Sequence, residues 1–138
     1  KGPSKQTVMV VAPRAAGALV NRLLSPLDGG ALQQKRSFWI DRLHKSMVSP
    51  LLTITDEPLR IRGLASRPYD SEGIAAKPLP IIESGALKSY YIDTYYGKKL
   101  NLAPTTGSPS NRVLSTGTKS LEQIIAEVND GFLVTSWL

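Results

Sequence analysis

Residues 63–100 read GLASRPYDSEGIAAKPLPIIESGALKSYYIDTYYGKKL, and the fold is read outward from them. Ile74–Ile82 is an extended, apolar segment, Glu83-Ser84-Gly85 is a short turn, and Ala86–Ile92 returns. Two apolar runs joined by a Gly-containing turn predict a hairpin at about residues 74–92. Pro78 and Pro80 remove two ladder donors, which places the first arm at a sheet edge or beside a bulge. Asp93 then suits the N-cap of a short helix over 93–100, with Lys98 and Lys99 at the negative end of its dipole. Ahead of the hairpin, residues 59–73 form a loop rich in Gly, Pro and charge that ends in Asp70-Ser71-Glu72-Gly73.

On the N-terminal side, Thr7–Ala12 (TVMVVA) is apolar and β-branched and predicts a buried strand. Pro13 fits the first turn of the helix that follows, where a missing N–H is harmless. Ala15, Ala16, Leu19, Val20, Leu23 and Leu24 recur at helical period, Ser25-Pro26 ends that helix, and Asp28-Gly29-Gly30 turns the chain. A shorter helix is predicted over residues 36–48, with Phe38, Trp39, Leu43 and Met47 sharing a face. Leu51–Thr55 alternates like a strand, and Asp56-Glu57-Pro58 reads as a turn.

On the C-terminal side, 101–111 is a loop and Asn111–Ser115 a short strand. Ser120–Asp130 is the clearest helix: Ser120 and Gln123 match the capping-box spacing, and Leu121, Ile124, Ile125 and Val128 share a face. Gly131 reads as its stop. Phe132–Trp137 is a last strand, expected to dock in the sheet. The fold class is therefore α+β: a mainly antiparallel sheet carrying the hairpin, with three or four short helices packed on it.

A chain of 138 residues fits one domain, which spans residues 1–138. Its 41% hydrophobic and 20% charged residues are those of a globular protein rather than a disordered or coiled-coil one. No apolar run is long enough to span a membrane. The absence of cysteine excludes disulfides, iron–sulfur clusters, thiolate zinc sites and Cys nucleophiles, and it fits a cytoplasmic protein. The net charge of +6 arises in residues 1–48; the remainder is balanced. That basic third is a candidate nucleic-acid surface, but it has no tight Lys/Arg cluster and no interleaved stacking aromatics, so nucleic-acid binding is not expected. A chain that opens Lys1-Gly2-Pro3 and enters a strand at once reads as a fragment whose N-terminal half lies elsewhere.

The chemistry on offer is sparse. The single histidine, His44, falls on the predicted second helix, and no GxSxG elbow, GxGxxG or P-loop occurs. Asp56/Glu57 and Asp70/Glu72 are the carboxylate pairs that could serve a hard cation, and neither resembles an EF-hand. Arg67, Asp70, Glu72 and Gly73 form the best site candidate, as a surface for substrate or partner. The alternative is structural, with the acids satisfying loop N–H groups or pairing with Arg67 and Gly73 supplying a positive φ. The neighbouring strand edge could accept an extended peptide by β-augmentation. Tyr90, Tyr91, Tyr95 and Tyr96 suit an interface, Tyr90 first among them, although half of the four could belong to the core.

The order Arg62-Gly63…Ser66…Asp70-x-Glu72-Gly73, then Ile82-Glu83-x-Gly85-x-Leu87-Lys88-x-Tyr90…Asp93, resembles the C-terminal domain of the TldD/PmbA family, known as modulators of DNA gyrase and as metalloproteases. Arg36-Ser37-Phe38, Ser49-Pro50-Leu51-Leu52-Thr53, Pro109-Ser110-Asn111, Ser120-Leu121-Glu122 and Gly131 extend the resemblance over essentially the whole chain.

In the TldD-like branch the helix after the first strand carries a His-Glu-x-x-x-His zinc motif, completed by a distant Cys. The resemblance puts the motif's named positions on Pro13, Arg14 and Ala18. Pro and Ala have no ligand atom there, and Arg is neither base nor ligand at neutral pH. The resemblance thus implies the non-catalytic PmbA/TldE-like branch, with no cofactor in this chain and zinc in a TldD-like partner. It further implies a heterodimer or homodimer that cleaves extended, partly unfolded peptides, in peptide maturation or antitoxin degradation, with an indirect link to gyrase. Two other readings stand beside it: an independent hydrolase using Asp70 and Glu72, and a basic nucleic-acid or gyrase-associated binding module.

Overall fold

The structure, a computed structural model, describes residues 4–137. They divide into two compact units, residues 25–115 and the two terminal segments together. Both mix helix and strand, and the larger carries a four-stranded antiparallel sheet, so the α+β expectation holds. No helix among the described residues is long and apolar enough to cross a membrane.

In the terminal unit, β1 (Val8–Val11) pairs in parallel with β6 (Gly131–Val134), from Val8 opposite Gly131 to Val11 opposite Val134. α1 (Pro13–Leu24) starts at Pro13, and the Ala12 carbonyl accepts from Ala15 and Ala16 N–H. α4 (Leu121–Glu127) begins with both halves of the capping box formed between Ser120 and Gln123. Three expectations change here. β1 is not buried throughout, since a two-stranded sheet leaves Val8 53% exposed and only Val10 is buried. The last strand docks on β1 in its own parallel pair rather than in the main sheet. Gly131 does not stop α4, which is closed by an extended Val128. Gly131 instead opens β6, where an added Cβ would meet Val8 O at 2.6 Å.

In the larger unit a 3-10 turn (Ser25–Leu27) leads into α2 (Gly29–Gln33), capped by Asp28, whose Oδ1 accepts from Ala31 N–H at 3.0 Å. The turn predicted at Asp28-Gly29-Gly30 is thus a helix start, and Gly29 packs so closely on Tyr96 that a side chain would clash. The antiparallel sheet consists of β2 (Ile54–Asp56), β3 (Leu79–Glu83), β4 (Ala86–Leu87) and β5 (Arg112–Leu114), in the order β4-β3-β2-β5. α3 (Thr94–Leu100) sits where predicted, with Asp93 Oδ1 accepting from Tyr96 N–H at 2.7 Å. Trp39, Leu27, Ile54, Ile81, Ile82, Leu87 and Ile92 make the core.

The hairpin is real but shorter than residues 74–92. Ser84 and Gly85 both take positive φ, 45° and 80°, the two-residue turn whose twist matches antiparallel strands. β3 is not an edge strand, because β4 and β2 flank it. The register jumps from Ile54–Ile82 to Thr55–Pro80, so the missing N–H of Pro80 falls at a bulge, the second of the two predicted placements.

The helix predicted over 36–48 does not form. Asp41 and His44 take positive φ, and Trp39 is 1% exposed while its neighbour Phe38 is 55% exposed. The segment instead pairs with the hairpin: His44 N–H donates to Leu87 O, Leu87 N–H to Lys45 O, and Met47 N–H to Gly85 O. Long-range backbone pairing overrides a local apolar period. The same pairing covers residues 85–87, so neither β3 nor this flank of the hairpin is a free edge for an extended peptide. β2 starts three residues later than predicted, which puts Asp56 inside a strand rather than in a turn.

Candidate functional site

The Asp70 loop is built by its own carboxylate. Asp70 is 6% exposed, and its Oδ1 accepts from Glu72 N–H at 2.9 Å and Ile74 N–H at 3.0 Å. Asp70 N–H donates to Ile74 O and Gly73 N–H to Asp70 O, closing a tight turn. Gly73 sits at φ +76° in open space, so backbone angle rather than crowding favours glycine there. Glu72 is exposed and reaches the start of α3, accepting from Thr94 N–H at 2.9 Å and from the Thr94 hydroxyl.

Arg67 makes no ion pair with Asp70 or Glu72 and reaches the loop after α3 instead. Its Nη1 donates to Ser108 Oγ at 3.0 Å and its Nη2 to Ser108 O at 2.5 Å, fixing the 105–111 loop. Of the two structural alternatives open at the sequence level, the acids therefore hold loop N–H groups and do not pair with Arg67. Tyr90 is buried and gives its hydroxyl to Trp39 O at 2.6 Å; burial is the main cause that raises its pKa. Tyr91 is buried too, whereas Tyr95 stands exposed beside Lys99 and against Tyr96. His44 lies in an exposed turn.

Sequence reasoning treated Asp56 as one of a carboxylate pair and missed its role. It is 2% exposed, and its oxygens accept from Ser110 N–H at 2.9 and 3.0 Å and from Ser110 Oγ at 2.5 Å. Tyr91 lies near it, and its phenol pKa is pushed up, first by burial and then by the Asp56 charge. Next door, Asn111 Oδ1 accepts from Ala65 N–H while its Nδ2 donates to Glu57 O and Ser66 Oγ. A Cβ on Gly63 would strike Ser66 Oγ and Asn111 Nδ2 at 2.5 and 2.6 Å. These partners lie about 45–54 positions apart along the chain, a separation that leaves no local pattern.

Pro13 and Arg14 occupy the first turn of α1, and Ala18 lines a shallow pocket with Leu19, Arg22 and Trp137. α1 carries no Asp, Glu, His or Cys. Among the described residues, no group of three or more such side chains could hold a metal ion. The donor set of this helix does not fit zinc.

Fold and site together describe an α+β domain whose charged loop is used to hold backbone. The chain belongs to the PmbA/TldA metallopeptidase family: it matches the model of that family's C-terminal domain over residues 4–138. It is 33% identical over 129 residues to Metalloprotease PmbA of Escherichia coli O157:H7, covering 92% of this chain and 29% of that protein. It is 32% identical over 123 residues to the Metalloprotease PmbA homolog of Haemophilus influenzae, covering 87% and 27%. It thus spans under a third of the length of these relatives. Among solved structures, a candidate modulator of DNA gyrase from Bacteroides thetaiotaomicron superposes with a TM-score of 0.89 at 42% identity, over 93% of this chain and 29% of that one. TldE from Thermococcus kodakarensis superposes at 0.80 with 25% identity, over 93% and 32%.

Proposed function

We propose that this chain is the C-terminal domain of a PmbA/TldE-like, non-catalytic subunit of a two-component zinc metalloprotease. One observation carries the reading: the helix after the first strand has Pro13, Arg14 and Ala18 where the family resemblance places the metal motif, and no His, Cys, Asp or Glu on any turn. The likeness to TldE supports the same branch. Asp70 and Glu72 hold backbone groups, which favours scaffolding over a hydrolytic centre of their own. Zinc and the peptide-cleaving step then belong to a TldD-like partner, and the substrate is an extended, partly unfolded peptide in a cytoplasmic complex.

The test is metal analysis and peptidase assay on the intact protein, alone and co-purified with a His-Glu-x-x-x-His homologue. The expected outcome is no stoichiometric zinc and no cleavage alone, with both appearing in the pair. One tightly held zinc per copy, or cleavage by this chain alone, overturns the proposal.

A further inference from the structure

The loop from Pro58 to Arg67 is pinned, yet it holds apolar side chains out in water. Arg67 N–H closes it by donating to Pro58 O at 2.8 Å, and inside it Ser66 Oγ donates to Arg60 O at 2.6 Å. Asn111 fastens it at Ala65 N–H and Ser66 Oγ, and Gly63 packs so tightly on that asparagine that a Cβ would clash. Arg62 is held at φ 58°, a conformation that costs a non-glycine residue free energy. In this fixed frame Leu59 and Ile61 are 58% and 89% exposed, and Leu64 is fully exposed. Three large aliphatic side chains within six residues, displayed by an ordered backbone, mark a contact surface rather than scattered surface apolarity.

The same unit has a hollow that matches this loop in size and charge. Its volume is about 220 Å³, and Leu32 of α2, Leu43, Tyr90, Leu100 of α3 and Leu102 are in its lining. That is below the roughly 300–1,000 Å³ of a small-molecule site and suits an aliphatic side chain. The Tyr90 hydroxyl is already committed to Trp39 O. Asp41 is the one charged residue in the lining. Among the described residues neither Asp41 nor Arg62 has an ion pair, whereas Arg60 is paired with Glu57 and Arg67 is committed to Ser108. The hollow thus carries an unpaired acid, and the exposed aliphatic residues flank an unpaired arginine. We propose that this hollow seats the 58–67 loop of a second copy of the chain, with Ile61 and Leu64 as apolar anchors and Arg62 facing Asp41. An apolar centre with a charge pair at its rim is the ordinary anatomy of a protein contact. One loop in one hollow buries less than a standard interface, so the association is weak and depends on concentration. The inference goes beyond the proposed function and holds whether or not the chain is catalytic.

Sedimentation velocity of the intact protein over a concentration series tests it. The mass of the parent is expected to rise above that of one chain as concentration increases. Arg62→Asp and Asp41→Arg each set like charges against one another, and each alone is expected to associate at least about tenfold more weakly. Mixed in equal amounts, the two variants restore opposite charges at every contact, and the mixture is expected to associate like the parent. A parent that stays monomeric overturns the inference, which is also the result if another part of the same protein fills the hollow. Single variants that associate like the parent, or a mixture that does not associate, overturn it too. If Asp41→Arg does not fold, Ile61→Ser in the exposed loop decides: loss of association is expected, and unchanged association overturns the inference.

Discussion

The start of α1 and the Asp70 loop teach opposite lessons about charged residues. At the start of α1, Pro13 and the apolar spacing fix a helix by local rules, yet the turns that would carry chemistry hold no acid, His or Cys. The Asp70 loop concentrates the residue types that catalysis uses, and the fold has spent them on backbone N–H groups. A carboxylate becomes a site when some of its hydrogen-bonding capacity is left over. Here the leftover amounts to one buried oxygen, Asp70 Oδ2.

The sharpest way to break this contrast is Asp56→Ala. It strips a buried acceptor from Ser110 N–H and Oγ, and a loss of about 3 kcal/mol in urea unfolding is expected. A loss under about 0.5 kcal/mol would mean the larger unit is not held by its buried acids. Asn111→Ala removes the side chain that ties Ala65, Glu57 and Ser66 together, with an expected loss of about 2 kcal/mol by the same measurement.

On the local side, Ser120→Ala should cost about 1 kcal/mol, the ordinary value of an N-cap. Arg14→Ala, in the first turn of α1, should change stability by less than about 0.5 kcal/mol and leave the zinc content of the co-purified pair untouched. A fall in bound metal in Arg14→Ala would restore a role that the donor set denies.

Tyr91 sharpens the comparison through pH. Burial raises its phenol pKa above the unfolded value of about 10, so the folded state holds its proton more tightly than the unfolded one. The contribution is fully present below pH 10 and is lost as pH climbs through the folded pKa. Tyr91→Phe removes a hydroxyl without a protein partner, so its stability at pH 7 should lie within about 0.5 kcal/mol of the parent. Its decline above pH 10 should be shallower, as followed by urea unfolding between pH 8 and 11. An unchanged decline would show that another group carries the alkaline transition.

Several signals of purely local energetics were legible, although the cap at Asp28 and the end of α4 were not. The capping box of Ser120 and Gln123, Asp93 as the cap of α3, Pro13 at the head of α1 and the turn at Ser84-Gly85 all sit where the sequence places them. The segment 36–48 shows the limit. Its apolar period is helical, but its backbone groups find partners on residues 85–87, about 40 positions away, and four such bonds outweigh a weak propensity.

The site divides in the same way. Composition and motif positions alone established that α1 has no zinc ligands and that an Asp-x-Glu-Gly turn exists, because ligand atoms and turn chemistry belong to individual residues. Only the tertiary structure decided what those residues do. Asp56 meets Ser110, Arg67 meets Ser108, Glu72 meets Thr94, and Tyr90 meets Trp39, across 22 to 54 positions of chain. Whether a carboxylate is a free base or a fastened strut depends on which donors the fold brings to it. Those donors come from elements that no local window of sequence contains.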